Sequence, residues 1–310
     1  MSLIPSALSR LSLAAALWAF TALPSLAEMI SVTHASGTTQ VERDPKTVVV
    51  FDLASLDTLN ALDVKVAGVP SAPLPDELKQ YAGDDYDKVG SLFEPDFEAV
   101  NALQPDLIIV AGRSQPKYAD LAKIAPTIDL TIDNAHFLDS VEANARTLGQ
   151  IFDRQDEVEA RISALEQSVT ALQGLTENAG TALVLLTTGG KVSAFGPGSR
   201  FGNVYDLYGF AAADPGLDVG THGQAVSFEY ILKTNPDWLY VLDRDATIGQ
   251  TGTAASVLLD NDLVDQTTAW KKGQVIYPDG GLLYLTTGGL YAEQALVDQV
   301  AARLKGEAKD

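Results

Sequence analysis

Short runs rich in Val, Ile and Leu alternate along the chain with segments in which apolar residues recur every three or four positions. The runs at 47–51, 64–69, 106–110, 127–130, 181–187, 191–195, 237–242 and 274–277 predict strands. The intervening periodicity predicts helices around 55–61, 96–103, 118–125, 204–207, 228–233 and 290–304. Strand and helix in alternation is the pattern of an α/β protein.

One segment breaks that rhythm. Between residues 137 and 172 there is no proline and one glycine, Gly149. Val141, Ala145, Leu148, Ile151, Val158, Ile162, Leu165, Val169 and Leu172 repeat at helical spacing, with charges on the other face. The spacing predicts one helix of roughly 35 residues, about 50 Å long at ~1.5 Å per residue. Two helices kinked at Gly149 are the alternative. The segment lacks the Gly/Ser/Pro composition of a flexible linker. It therefore reads as a stiff connector, 137–172, between an N-terminal lobe, 28–136, and a C-terminal lobe, 173–310.

The first 27 residues follow a third pattern. Arg10 is their one charge, an apolar run follows at 11–23, and Ser25-Leu26-Ala27 is a small-x-small cleavage site. Residues 1–27 are expected to be a cleavable export signal, which puts the mature protein outside the cytoplasm. The run is short for a membrane span.

A unit of 17 residues occurs twice, 131 positions apart. Residues 97–113 read FEAVNALQPDLIIVAGR and residues 228–244 read FEYILKTNPDWLYVLDR, with Phe, Glu, Pro, Asp, Val and Arg in common. Each copy predicts the same sequence of events. A helix starts with an acid, where a carboxylate suits the helix dipole. Gln-Pro or Asn-Pro stops it. A buried strand follows and delivers an arginine at its carboxyl end, the end at which open α/β sheets bind ligands. Two similar lobes would thus aim Arg113 and Arg244 at a shared cleft. Local ion pairing, for instance of Arg244 with Asp243 or Asp245, is the plainer alternative.

Charge narrows the partners. The chain carries a formal −20, with no cysteine. Nucleic acid is excluded, since neutralising phosphates needs a basic face. Disulfides and thiolate metal sites are excluded, and a cysteine-linked lipid anchor is not expected. Arginine is scarce against this background: nine residues, one of them in the expected signal. Three follow predicted strands: Arg113, Arg244 and Arg200, the last in the glycine-rich turn FGPGSRFG. Such a turn lets backbone approach a ligand, and three convergent guanidinium groups would hold a multiply anionic one. An ordinary tight turn with a solvated arginine is the alternative for Arg200.

Two further residues stand out, one in a loop at an expected cleft edge and one in a loop after the predicted strand 274–277. His222, in GTHGQ, precedes the second copy of the repeat. Tyr284, between glycine turns in DGGLLYLTTGG, carries a phenol able to ligate a hard metal such as Fe(III); a packed tyrosine is the alternative. Enzyme signals fail. TGGK lacks the rest of a phosphate loop, and there is no HExxH, GxSxG or GxGxxG.

These residues give the chain a resemblance to the periplasmic substrate-binding proteins of iron-siderophore and vitamin B12 ABC importers. FEAVNALQPDLIIV resembles the signature of their N-lobe and VSFEYILKTNPDWLYV that of their C-lobe. The resemblance implies two Rossmann-like α/β lobes joined by one long α-helix. It implies a periplasmic solute-binding protein, not an enzyme, with no permanent cofactor; Fe(III) would arrive as a siderophore complex. The branch that binds ferric catecholates is the most similar. It implies Arg113, Arg200 and Arg244 as ligand-binding residues and His222 and Tyr284 as metal ligands, with Tyr291 a competitor for the last role. It also implies docking on an inner-membrane ABC permease through Glu98 and Glu229, by a monomer. Haem, cobalamin or a hydroxamate siderophore remain alternatives within the fold, and a siderophore hydrolase one outside it.

Overall fold

The repeated unit folds the same way twice in the structure, a computed structural model that describes residues 28–220 and 222–307. The expected export signal, 1–27, lies outside the described residues. In the first copy Asp96 caps the helix Phe97–Leu103, accepting from the amides of Glu98 and Ala99; in the second Ser227 caps Phe228–Thr234, accepting from Tyr230. Each helix ends on a residue in the left-handed region, Gln104 (φ 47°) and Asn235 (φ 46°). The proline that follows has no amide to continue a helix. The repeated aspartate then ties two strands together. Asp106 accepts from the amides of Lys46 and Thr47 (3.0 and 2.8 Å), and Asp237 from that of Thr181 (3.0 Å). Each thereby anchors the start of the neighbouring parallel strand.

The strands so placed are central in their sheets. The first lobe holds a five-stranded, all-parallel sheet in the order Asp87–Lys88, Gly68–Val69, Val48–Val50, Leu107–Val110, Thr127–Asp129. Val48, Val49, Val50 and all four residues of Leu107–Val110 are buried, as parallel strands covered on both faces should be. The second lobe holds a mixed sheet, Gln224–Val226, Lys191–Phe195, Thr181–Thr188, Trp238–Asp243, Val275–Ile276, with Ala211–Ala212 pairing off Thr181–Thr188. Lys191–Phe195 runs antiparallel to both its neighbours, and the remaining pairs are parallel. All eight expected strands are present, several shortened. A hairpin, Met29–His34 with Gly37–Glu42, was not among them. Its alternation is real, with Ile30 and Val32 inward, but its second strand buries only Val41.

The connector is a correction. The expected single helix is two, Phe137–Ile151 and Gln155–Thr176. The break begins three residues past Gly149 and spans residues 152–154, within which Asp153 takes φ 57°. Gly149 still matters: a Cβ there would lie 2.9 Å from Cγ2 of Val158, so glycine lets the second helix fold back against the first. Arg146 joins them, bonding Glu142 (2.9 Å) within its helix and Glu159 (2.8 Å) across the break. The first helix serves both cores, its Phe137, Val141 and Ala145 joining the second-lobe cluster and its C-terminal end the first. Leu148, Ile151 and Phe152 pack with the first-lobe sheet, whereas Val158, Ile162, Leu165 and Leu172 pack with the second-lobe sheet and the C-terminal helix Leu290–Leu304. Truncating one of them, such as Leu165→Ala, should cost about 2–5 kcal/mol.

The lobes also meet through that C-terminal helix. Asp57, wholly buried on the first-lobe helix Leu53–Ala61, accepts from the amides of Tyr291 and Ala292 (3.0 and 3.2 Å). Its neighbour Thr58 accepts from Leu290 (3.1 Å). A first-lobe side chain therefore caps a second-lobe helix and satisfies amides that would otherwise lack partners.

Candidate ligand-binding site

Arg113 leaves the first-lobe sheet through a turn locked by Ser114. The buried hydroxyl of that serine accepts from Ala111 N (3.1 Å) and donates to Ala111 O (3.0 Å). Arg200 sits on the glycine-rich turn, held by Ser199 Oγ donating to Gly196 O (2.6 Å). That turn closes so tightly that a Cβ on Gly202 would lie 2.7 Å from the amide nitrogen of Gly198. Arg244 opens a short helical turn, Arg244–Thr247, directly after the strand Trp238–Asp243. All three reach one residue. Tyr284 lies in a π-helical turn, Gly281–Leu285, a wide-pitched form common at functional sites.

The contacts with Tyr284 are unusually concentrated. Its carbonyl oxygen accepts from Arg113 (2.7 Å) and Arg200 (2.9 Å), and its phenol oxygen accepts from Arg244 Nε (2.9 Å). The three guanidinium carbons lie 5.4, 4.5 and 5.7 Å from its ring centre, within cation–π range. The bond from Arg113 crosses between lobes. Burial alone would raise the phenol's pKa, but Arg244's hydrogen bond and the charges of Arg200 and Arg244 outweigh it, and the net shift is downward. Burial, then the charge of Arg113, brings Arg200 down to about 10.

Beside this cluster lies a cavity of about 580 Å³ lined from both lobes. Arg113, Arg200, His222 and Tyr284 line it. Arg244 does not; it touches Tyr284 outside that lining and lies 3.7 Å from Asp245. The local ion pair that was the alternative to a cleft-facing role thus exists for Arg244, while among the described residues Arg113 and Arg200 form none. Tyr291, the alternative tyrosine, does not line the cavity and is half exposed on the C-terminal helix. Glu98 and Glu229 stand exposed in the first turns of the two repeat helices, one per lobe.

Several lining residues carried no sequence signal. The first lobe supplies Asp52, Ser55, Thr58 and Phe93, and the connector Phe137, Asn144 and Leu148. Among the described residues Asp52 is the one carboxylate lining the cavity. Burial raises its pKa, more than hydrogen bonds from Ser55 and the charge of Arg113 lower it. Among the described residues no three His, Asp or Glu side chains gather as a site for a bare metal ion. The cavity can therefore take a ligand with anionic oxygens at the arginine wall and apolar or neutral polar groups elsewhere.

Comparison with known proteins agrees with that chemistry. The model of a family described as periplasmic binding protein matches residues 48–280. The petrobactin-binding protein YclQ of Bacillus subtilis is 44% identical over 278 residues, covering 88% of this chain and 87% of that one. Its crystal structure superposes with a TM-score of 0.86 and covers 91% of this chain and 100% of its own. The ferric-anguibactin-binding protein FatB of Vibrio anguillarum is 32% identical, covering 87% and 86%. The periplasmic catecholate-siderophore binding protein VctP of Vibrio cholerae is 33% identical, with a TM-score of 0.85 over 89% of this chain and 100% of that one.

Proposed function

The chain belongs to the periplasmic binding protein family, and on that footing we propose that it captures a ferric siderophore, of the catecholate type, and delivers it to an inner-membrane ABC permease. The observation that carries this reading is the convergence of Arg113, Arg200 and Arg244 on Tyr284 beside a cavity shared by both lobes. A catecholate complex of Fe(III) presents anionic oxygens on planar rings. Guanidinium groups suit both features, because they hydrogen-bond oxyanions and stack on ring faces. A neutral hydroxamate complex would leave the charges of Arg113 and Arg200, which line the cavity and form no ion pair among the described residues, without a partner. Named relatives that bind petrobactin and ferric anguibactin support iron chelates as the ligand class.

Iron enters as cargo, with its own donors. Where the siderophore leaves coordination positions open, His222 and Tyr284 complete the shell, the phenol being favoured by its lowered pKa. No bond of the ligand is made or broken. Glu98 and Glu229 meet the permease, one from each lobe, so that the partner reads both lobes together. The protein works as a monomer in the periplasm after loss of residues 1–27.

The test is titration of the protein lacking residues 1–27 with ferric mono-, bis- and tris-catecholates, followed by tryptophan quenching and the visible charge-transfer band. Binding tighter than about 1 μM is expected for at least one class. No binding below ~10 μM with any of them overturns the catecholate assignment.

A further inference from the structure

The tight turn before the first repeat presents an aromatic ring to solvent. Leu92 and Phe93 are adjacent, yet Leu92 is 7% exposed and Phe93 58%. The backbone enforces the split. Gly90 has φ 108° and abuts the amide of Asp96, and Gly90 bridges Pro95. Ser91 N donates to Glu94 O (2.9 Å), while its hydroxyl accepts from the amides of Phe93 (3.3 Å) and Glu94 (3.0 Å). Glu94 is tethered to Lys117 at 2.8 Å. The turn cannot roll to hide the ring, so the exposure belongs to the fold.

The ring is not a stray surface hydrophobe, because it lines the same cavity as Arg113, Arg200 and His222. It comes from the first lobe, two residues past Ser91, the position 131 before His222. The cavity thus has a carbon ring on one lobe and an imidazole on the other, with guanidinium groups beside them. A phenylalanine face offers nothing to oxyanions. It does take another aromatic face or edge, and gains by leaving water.

We propose that Phe93 is a specificity-determining residue that covers an aromatic ring of the bound chelate. It selects iron complexes whose donor atoms sit on aromatic rings over those built on aliphatic carboxylates or hydroxamates. The arginines read the anionic oxygens and Phe93 reads the ring that carries them. This deepens the proposed function and rests on it.

The experiment compares the wild-type protein, Phe93→Ala and Phe93→Tyr by calorimetric titration and stopped-flow dissociation. The probes are a ferric bis-catecholate and ferric citrate. Phe93→Ala is expected to weaken the catecholate on the order of ten- to thirty-fold, mostly through faster release. Phe93→Tyr should stay within about threefold, and ferric citrate should bind all three proteins alike. If wild type binds the catecholate and Phe93→Ala matches it, the ring is not used and the proposal fails alone. Unchanged affinity with lost iron uptake in cells would assign Phe93 to the permease instead. An equal loss for ferric citrate would mean that the ring merely shapes the cavity mouth, which also overturns selection. Failure of wild type to bind any ferric catecholate removes the underlying reading and this proposal with it.

Discussion

Arg244 donates from Nε to the phenol oxygen of Tyr284 at 2.9 Å, and it does so outside the lining of the cavity that Tyr284 faces. The phenol is therefore polarised by a cation that need not touch the ligand. Tyr284→Phe removes the oxygen but keeps the ring and the carbonyl that Arg113 and Arg200 use. Combined with His222→Ala, it should change the charge-transfer band of tetradentate ferric catecholates and leave that of hexadentate ones as it was. Unchanged spectra in both series would show that neither side chain reaches iron.

Arg113 and Arg200 share one acceptor, the Tyr284 carbonyl. Removing either guanidinium takes away one of the charges facing the ligand. Truncating one partner of a desolvated charge pair costs about 2–5 kcal/mol, so Arg200→Ala should weaken a ferric catecholate by at least about thirtyfold. Arg200→Lys should not restore it. A lysine keeps the charge but loses the flat group that lies 5.0 Å from the Phe201 ring centre and 4.5 Å from that of Tyr284. Equilibrium titration of the two variants at one salt concentration checks the ordering.

Glu98 and Glu229 predict a separation of binding from transport. Both are exposed and first-turn, and the carboxylate of Glu229 is held below its usual pKa by its own amide and the Ser227 hydroxyl. Reversing each charge, Glu98→Arg and Glu229→Arg, should leave ligand affinity within about twofold, since neither lines the cavity. Uptake of radio-iron by cells carrying either variant should fall, and the double variant should abolish it. Full uptake by the double variant would remove both from the docking role.

How much of this was legible in sequence follows from locality. The repeat could be read because its pieces act within a few residues: a cap, a stop at Gln-Pro or Asn-Pro, a buried strand, an arginine. Arg113, Arg200 and Tyr284 were reachable as residues that follow predicted strands, and His222 by its place just before the second copy of the repeat. The helix break at 152–154 was not, because a periodic pattern is blind to one residue in the left-handed region; Asp153 carries little signal for it. Gly149 was a clue read at the wrong position. It marks where the second helix lands, not where the chain turns. The share of the cavity made by Ser55, Thr58, Asn144 and Leu148 depends on how two helices pack against a sheet, and nothing local reports that. Likewise Asp57 is an ordinary helical aspartate until the C-terminal helix, more than 230 residues later, sets its amides against it.

That joint gives the last prediction. Glu293, wholly buried, accepts from Gly288 N (2.8 Å) and Thr287 Oγ1 (3.1 Å) through one oxygen; the other oxygen has no partner. Burial, working against those two bonds, pushes its pKa up to about 7, and burial likewise takes Asp57 up to about 8. An unfolded chain would release both protons near pH ~4. Between that pH and neutrality the folded protein holds protons that the unfolded chain has lost, so raising pH favours unfolding. The stabilisation is fully present below the unfolded pKa and is lost as pH climbs through 7 and 8. For Glu293 the difference amounts to roughly 3 kcal/mol. Thermal unfolding of the protein lacking residues 1–27 should therefore show a Tm that falls from pH 5 to pH 8. Glu293→Gln removes one titration. It should lower Tm slightly at pH 5, where its new amide lacks an acceptor, and flatten the decline toward pH 8. A slope identical to wild type would mean that Glu293 is already ionised in the folded protein and that its unpartnered oxygen is satisfied in another way.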